Sequence, residues 1–152
     1  MMYPGVDEAL DAIVSTVEND ITPHVDDALA ASLCRTVAQM LRSVRVRVAL
    51  ENDLLHEDNA ALRHLLEAWA SELPEAARVQ ASEAVLAAPQ PTLPPLTELQ
   101  ADATRLRAAL VTAIEAVPET DHGFRKAARA YLTQQLGHEK LWMQDAFTGP
   151  RR

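Results

Sequence analysis

From Leu29 to Leu73 the chain keeps apolar residues on one helical face, and two carboxylates stand inside that line. The line reads Leu29, Leu33, Val37, Met40, Val44, Val48, Glu51, Leu55, Asp58, Leu62, Leu65, Trp69 and Leu73. Every step is three or four residues, which returns an α-helix to the same face. The pattern predicts an all-α protein.

The remaining segments fit an antiparallel, up-and-down bundle of four main helices with one short extra helix. A first helix is expected from Val6 to Asn19, with Leu10, Ile13, Val14 and Val17 inward and a stop at Ile21-Thr-Pro-His24. A second helix starts at Asp26 or Asp27. Unbroken to Leu73 it would be about 70 Å long at 1.5 Å per residue, so either it breaks or kinks near residues 56–59, where Asp58 or Asn59 is suited to cap a new helix, or it continues and pairs with another subunit; a break is the expectation. A short helix follows Pro74. Residues 88–96 form a Pro-rich internal linker, because proline fixes the backbone and lacks an N–H. Thr97 then reads as an N-cap with Gln100 as its capping-box partner. The helix after it turns Leu99, Ala103, Leu106, Leu110, Ile114 and Val117 inward, and Pro118 stops it. Asp121 is placed to cap the last helix, whose inner face is Phe124, Ala128, Tyr131, Gln135, Trp142 and Ala146. With 152 residues and no internal repeat, the whole chain is expected to be a single helical-bundle domain.

Composition narrows the function. The net charge of −8 argues against nucleic acid as a partner, since phosphate binding needs a basic surface. It also disfavours docking on an anionic leaflet. No apolar run approaches the ~20 residues of a membrane span. Cys34 is the single cysteine, so no internal disulfide forms. The opening residues lack the basic and apolar regions of a signal peptide. The expectation is a cytoplasmic protein that binds neither nucleic acid nor membrane.

Motifs that carry chemistry are missing. There is no phosphate-binding glycine loop, no Gly-x-Ser-x-Gly and no His-Glu-x-x-His. No cofactor is implied and no catalytic residue is assigned. What stands out is polar residues on inward faces: Arg47, Glu51 and Asp58 on the second helix, and Gln135, His138 and Glu139 beside Tyr131 on the last. These seven are the candidates for a pocket between helices. Carboxylates and a histidine on facing helices also build metal sites in bundles, which singles out Glu51, Asp58, His138 and Glu139, yet the di-iron spacing of paired Glu-x-x-His is not met. The alternative is structural, with Arg47 and Glu51 as an ion pair four residues apart. A third reading makes the apolar line a subunit interface through Leu55, Leu62, Leu65 and Trp69.

Tyr3-Pro-Gly-Val-Asp-Glu-Ala-Leu, Ile21-Thr-Pro-His24 and Glu57-Asp-Asn-Ala-Ala-Leu-Arg63 together resemble a group of small uncharacterised bacterial helical proteins found near genes for acyl-CoA dehydrogenases and phosphotransferase-like enzymes. The resemblance covers mostly the first seventy residues. It implies a metabolic setting and no catalytic residues. The expectation is therefore a non-enzymatic helical-bundle protein that self-associates as a homodimer and assists a partner enzyme. The alternative is a small-molecule or metal-binding bundle with a polar pocket between helices.

Overall fold

A computed structural model describes residues 4–89, 94–120 and 123–146, with side chains described up to residue 141. Every regular element among these residues is helical: α1 Val6–Ser15, α2 Ala28–Trp69, α3 Glu75–Leu86, α4 Leu96–Ala116 and α5 Gly123–Ala146. The expected all-α class is what the structure has. No described helix is long and apolar enough to cross a membrane.

Local chemistry sets the helix ends. Gly5 precedes α1 in extended geometry, and its N–H donates to Glu8 Oε2 at 3.1 Å. Asp27 opens α2: its Oδ1 accepts the Ala30 N–H at 2.7 Å, satisfying one of the orphan donors of the first turn. Pro74 stands just before α3 and Pro95 just before α4, where a missing N–H costs nothing. Val117 is extended because Pro118 follows, and this ends α4.

Several expectations about boundaries are corrected. The first α-helix ends at Ser15, not Asn19, and passes into a π-helical turn, Thr16–Ile21, then a 3-10 turn, Thr22–His24. The Thr22 hydroxyl donates to the Val17 carbonyl at 2.6 Å, the same oxygen that accepts the Thr22 backbone N–H at the end of the π turn. Helix α2 is not broken at residues 56–59, because Asp58 and Asn59 point their side chains at other helices instead of capping a new one. Thr97 is not an N-cap, since α4 starts at Leu96 behind Pro95. The expected cap Asp121 and the side chains of Trp142 and Ala146 lie outside the described residues.

The described residues fall into two compact units, one within 1–50 and 139–152 and the other within 51–138. In the first, α1 lies along the first half of α2. Val14 and Ala38 are its buried apolar side chains, while Ile13 is exposed. Arg42 pairs with Glu18 at 2.5 Å, and Arg45 pairs with Asp7 and Asp11.

The second unit holds the main core. Leu62, Leu65, Leu66, Leu73, Leu106, Leu110, Phe124 and Tyr131 are its large buried side chains. Alanines fill the rest. Ala77, Ala81 and Ala84 of α3 are buried with Ala109 and Ala113 of α4, so small side chains take the places that aromatics do not. Burying Phe124 or Leu62 completely contributes about 1.5–3 kcal/mol each. The Phe124 ring meets Trp69 edge-on, with centroids 6.4 Å apart. Beside them Gly123 has no room for a Cβ, which would overlap the Trp69 ring. Arg125 closes the far end of α4 by donating to the Ile114 and Val117 carbonyls at 2.7 and 3.0 Å.

Candidate functional site

Asp58 and Asn59 are consecutive on α2, so their side chains leave the helix about 100° apart and serve two different neighbours. Each begins a buried polar cluster within the second unit.

Asp58 turns to α5. It is 6% exposed, and its Oδ1 lies 2.8 Å from His138 Nδ1. Tyr131, two turns before His138, is buried nearby. Burial raises the Tyr131 phenol above its ordinary pKa, and the Asp58 charge adds to the rise. The Arg107 guanidinium opposes it by its charge and a hydrogen bond.

Asn59 turns to α4. Its Nδ2 donates to the Leu99 carbonyl and to Asp102 Oδ2, both at 3.0 Å. Asp102 is fully buried. Its other oxygen receives Arg63, one turn beyond Asn59, and Arg105 at 3.3 Å. Arg105 also donates to the Ala87 carbonyl at the end of α3. One carboxylate thus ties α2, α3 and α4 together. A cavity of about 130 Å³ lies beside it, lined by His56, Asn59, Arg63 and Asp102 among others. Arg63 Nε is buried there with no hydrogen-bond partner among the described residues.

Of the seven expected pocket residues, the structure brings Asp58, Tyr131 and His138 together. Glu51 is half-buried and accepts from Gln100 Nε2 of α4 at 3.2 Å. Gln135 is half-buried on α5. Arg47 and Glu139 are exposed and belong to the other unit. None of the seven lines the cavity beside Asp102. Among the described residues, no three His, Cys, Asp or Glu side chains come together to hold a metal ion.

The four expected interface residues are packed within the chain. Leu62 and Leu65 are buried in the main core, with Trp69 packed against it, and Leu55 is buried with Leu99 and Ala103. They are held within the chain because the second half of α2 packs on α4 and α5. The first half of the same line is different. Leu29, Leu33, Val37, Met40, Val44 and Val48 are all exposed, between 45% and 70%. Their neighbours Ser32, Thr36 and Gln39 are exposed and uncharged. Sequence reading missed this split because periodicity shows which residues share a face, not how far the cover extends.

Comparison with family models, with curated proteins and with solved structures found no match for this chain. The site is therefore read from its own geometry. In both buried clusters the polar groups pair with one another, Arg63 Nε excepted, an arrangement suited to fixing helix register. The exposed apolar line, about 29 Å long at 1.5 Å per residue, is a continuous surface with unmet packing.

Proposed function

We propose that this chain works by non-covalent association, self-associating through the first half of α2 and serving a partner enzyme as the resulting assembly. One observation carries the first part: six large aliphatic side chains, from Leu29 to Val48, stand exposed in one line. Scattered apolar residues on a surface are ordinary, but a continuous line of this length marks a contact surface. The partner enzyme rests on the sequence resemblance alone. The fold supporting this surface is read as an antiparallel bundle. Asp58 with His138 and Trp69 with Phe124 support that reading, because they pair α2 and α5 in opposite chain directions.

Light scattering after gel filtration tests the proposal. The wild-type chain is expected to elute as a dimer at micromolar concentration. Leu33→Glu should give a monomer with unchanged helical circular dichroism, since residue 33 is exposed within the chain. A wild-type monomer overturns the reading. So does a Leu33→Glu variant that remains fully dimeric.

The alternative, a ligand-binding bundle, has the cavity beside Asp102 and the unpartnered Arg63 Nε in its favour. Its test is thermal unfolding with small carboxylates. A midpoint that rises with ligand concentration supports it, and an unmoved midpoint at millimolar acetate and propionate removes it.

A further inference from the structure

The exposed line on α2 has a symmetry of its own. Its steps are four, four, three, four and four residues, the same from either end. An antiparallel second copy whose two-fold axis passes between Val37 and Met40 therefore meets it residue for residue. Leu29 comes level with Val48, Leu33 with Val44, and Val37 with Met40. A two-fold contact requires one patch to be its own complement, and an arbitrary apolar line does not satisfy that condition when reversed.

Charge decides between antiparallel and parallel. No acidic residue occurs between Asp27 and Glu51, whereas Arg35, Arg42, Arg45 and Arg47 do. A parallel, in-register pair sets each arginine level with its own copy, including Arg35, which among the described residues lacks the α1-side acids that meet Arg42 and Arg45, and aligns the two helix dipoles. The antiparallel pair sets Arg35 level with Arg42 of the other copy, a cation already met by Glu18, and sets Arg47 level with Ala30, one turn from Asp26 and Asp27 at the start of that α2. There a cation meets acidic residues and the positive end of a helix whose first turn is already capped by Asp27.

Charge also argues for a second copy over an acidic partner or an anionic surface. Arg42 and Arg45 are already paired with Glu18, Asp7 and Asp11 inside the chain. On the other flank stand uncharged Ser32, Thr36 and Gln39. The face offers aliphatic packing with little unpaired positive charge, which another copy of itself matches.

We infer that the first half of α2 pairs with the same segment of a second copy, antiparallel, about a two-fold axis between Val37 and Met40. The inference rests on the proposed self-association and adds its direction and register. Two single-cysteine variants test it, Leu29→Cys and Val48→Cys, each carrying Cys34→Ser. Cysteine preserves an apolar contact at both positions. At a concentration where light scattering shows both variants dimeric, they are treated with a short bismaleimide, separately and after mixing and re-equilibration.

The expected result is a covalent dimer in the mixture and almost none in either variant alone. Like positions in the antiparallel pair are on the order of 28 Å apart, nineteen residues at 1.5 Å each. Covalent dimers in each variant alone show a parallel pair and overturn the inference, while self-association stands. Dimers that cross-link in no combination place the contact elsewhere and also overturn it. A wild-type chain that is monomeric by light scattering removes both this inference and the reading beneath it.

Discussion

Asp58 Oδ1 and His138 Nδ1 are 2.8 Å apart and join α2 to α5 across eighty residues of sequence. The carboxylate is nearly buried, so it makes this contact in place of water. Neither residue has a core role that an apolar pattern would assign. Their pairing fixes which turn of α5 lies against which turn of α2, because a slide by one turn leaves a desolvated carboxylate without a donor.

A double-mutant cycle measures that coupling. Asp58→Asn and His138→Gln are expected to destabilise the chain by about 1–3 kcal/mol singly, the cost of an unsatisfied buried group. The double variant should lose less than the sum, with a coupling of at least ~0.5 kcal/mol. Strict additivity in denaturant unfolding would show that the contact does not form in solution.

Tyr131 gives the fold an alkaline limit. Its phenol ionises less readily in the folded chain than the ordinary value of about 10, because burial and the Asp58 charge disfavour the phenolate. Between the unfolded and folded values, the folded state holds the proton and the unfolded state has lost it. Stability from this group is therefore full below pH ~10 and falls as pH rises through the folded value. Tyr131→Phe should flatten that loss in unfolding experiments from pH 9 to 11. The wild-type absorbance titration should show a phenol, assigned by its loss in Tyr131→Phe, ionising above the ordinary value of about 10.

Sequence made the elements legible and hid the partners. The three- and four-residue spacing showed that residues 29 to 73 share a face, and α2 is helical from Ala28 to Trp69. It also placed Asp58, Tyr131 and His138 on inward faces, which the structure brings together. Asp102 was missed. It stands three residues after Leu99 and four before Leu106, on the inward face of α4, and it is fully buried there because Asn59 and Arg63 of α2 supply its donors. A buried charge is legible only with its partners, and those are about forty residues away. Gly123 was invisible for a related reason: nothing local requires glycine there, and the demand comes from the Trp69 ring.

Asp102 is expected to be the costliest single polar side chain to remove. Asp102→Ala leaves Arg63 largely buried without its anion and frees the Asn59 donor and the Arg105 bridge to Ala87. Breaking a buried charge network in this way costs about 3–5 kcal/mol. Replacing both members by apolar residues, Asp102→Leu with Arg63→Met, should recover much of that loss. If Asp102→Ala unfolds at the wild-type denaturant midpoint, the carboxylate does not tie the three helices together.

Gly123 and Trp69 supply the last test, and it separates packing from helix propensity. Alanine is favoured over glycine in a helix interior by roughly 0.5–1 kcal/mol, and at Gly123, the first residue of α5, propensity alone predicts a smaller stabilisation by Gly123→Ala. The Trp69 ring lies where the new methyl would go, and overpacking costs about 1–3 kcal/mol. The net expectation is destabilisation, because the overlap is with a ring also held edge-on by Phe124. Trp69→Leu lowers stability on its own by removing that ring contact. In its background, however, Gly123→Ala should become neutral or stabilising, since the obstruction is gone. A Gly123→Ala chain more stable than wild type, with Trp69 intact, would mean that the start of α5 stands further from that ring than the structure places it.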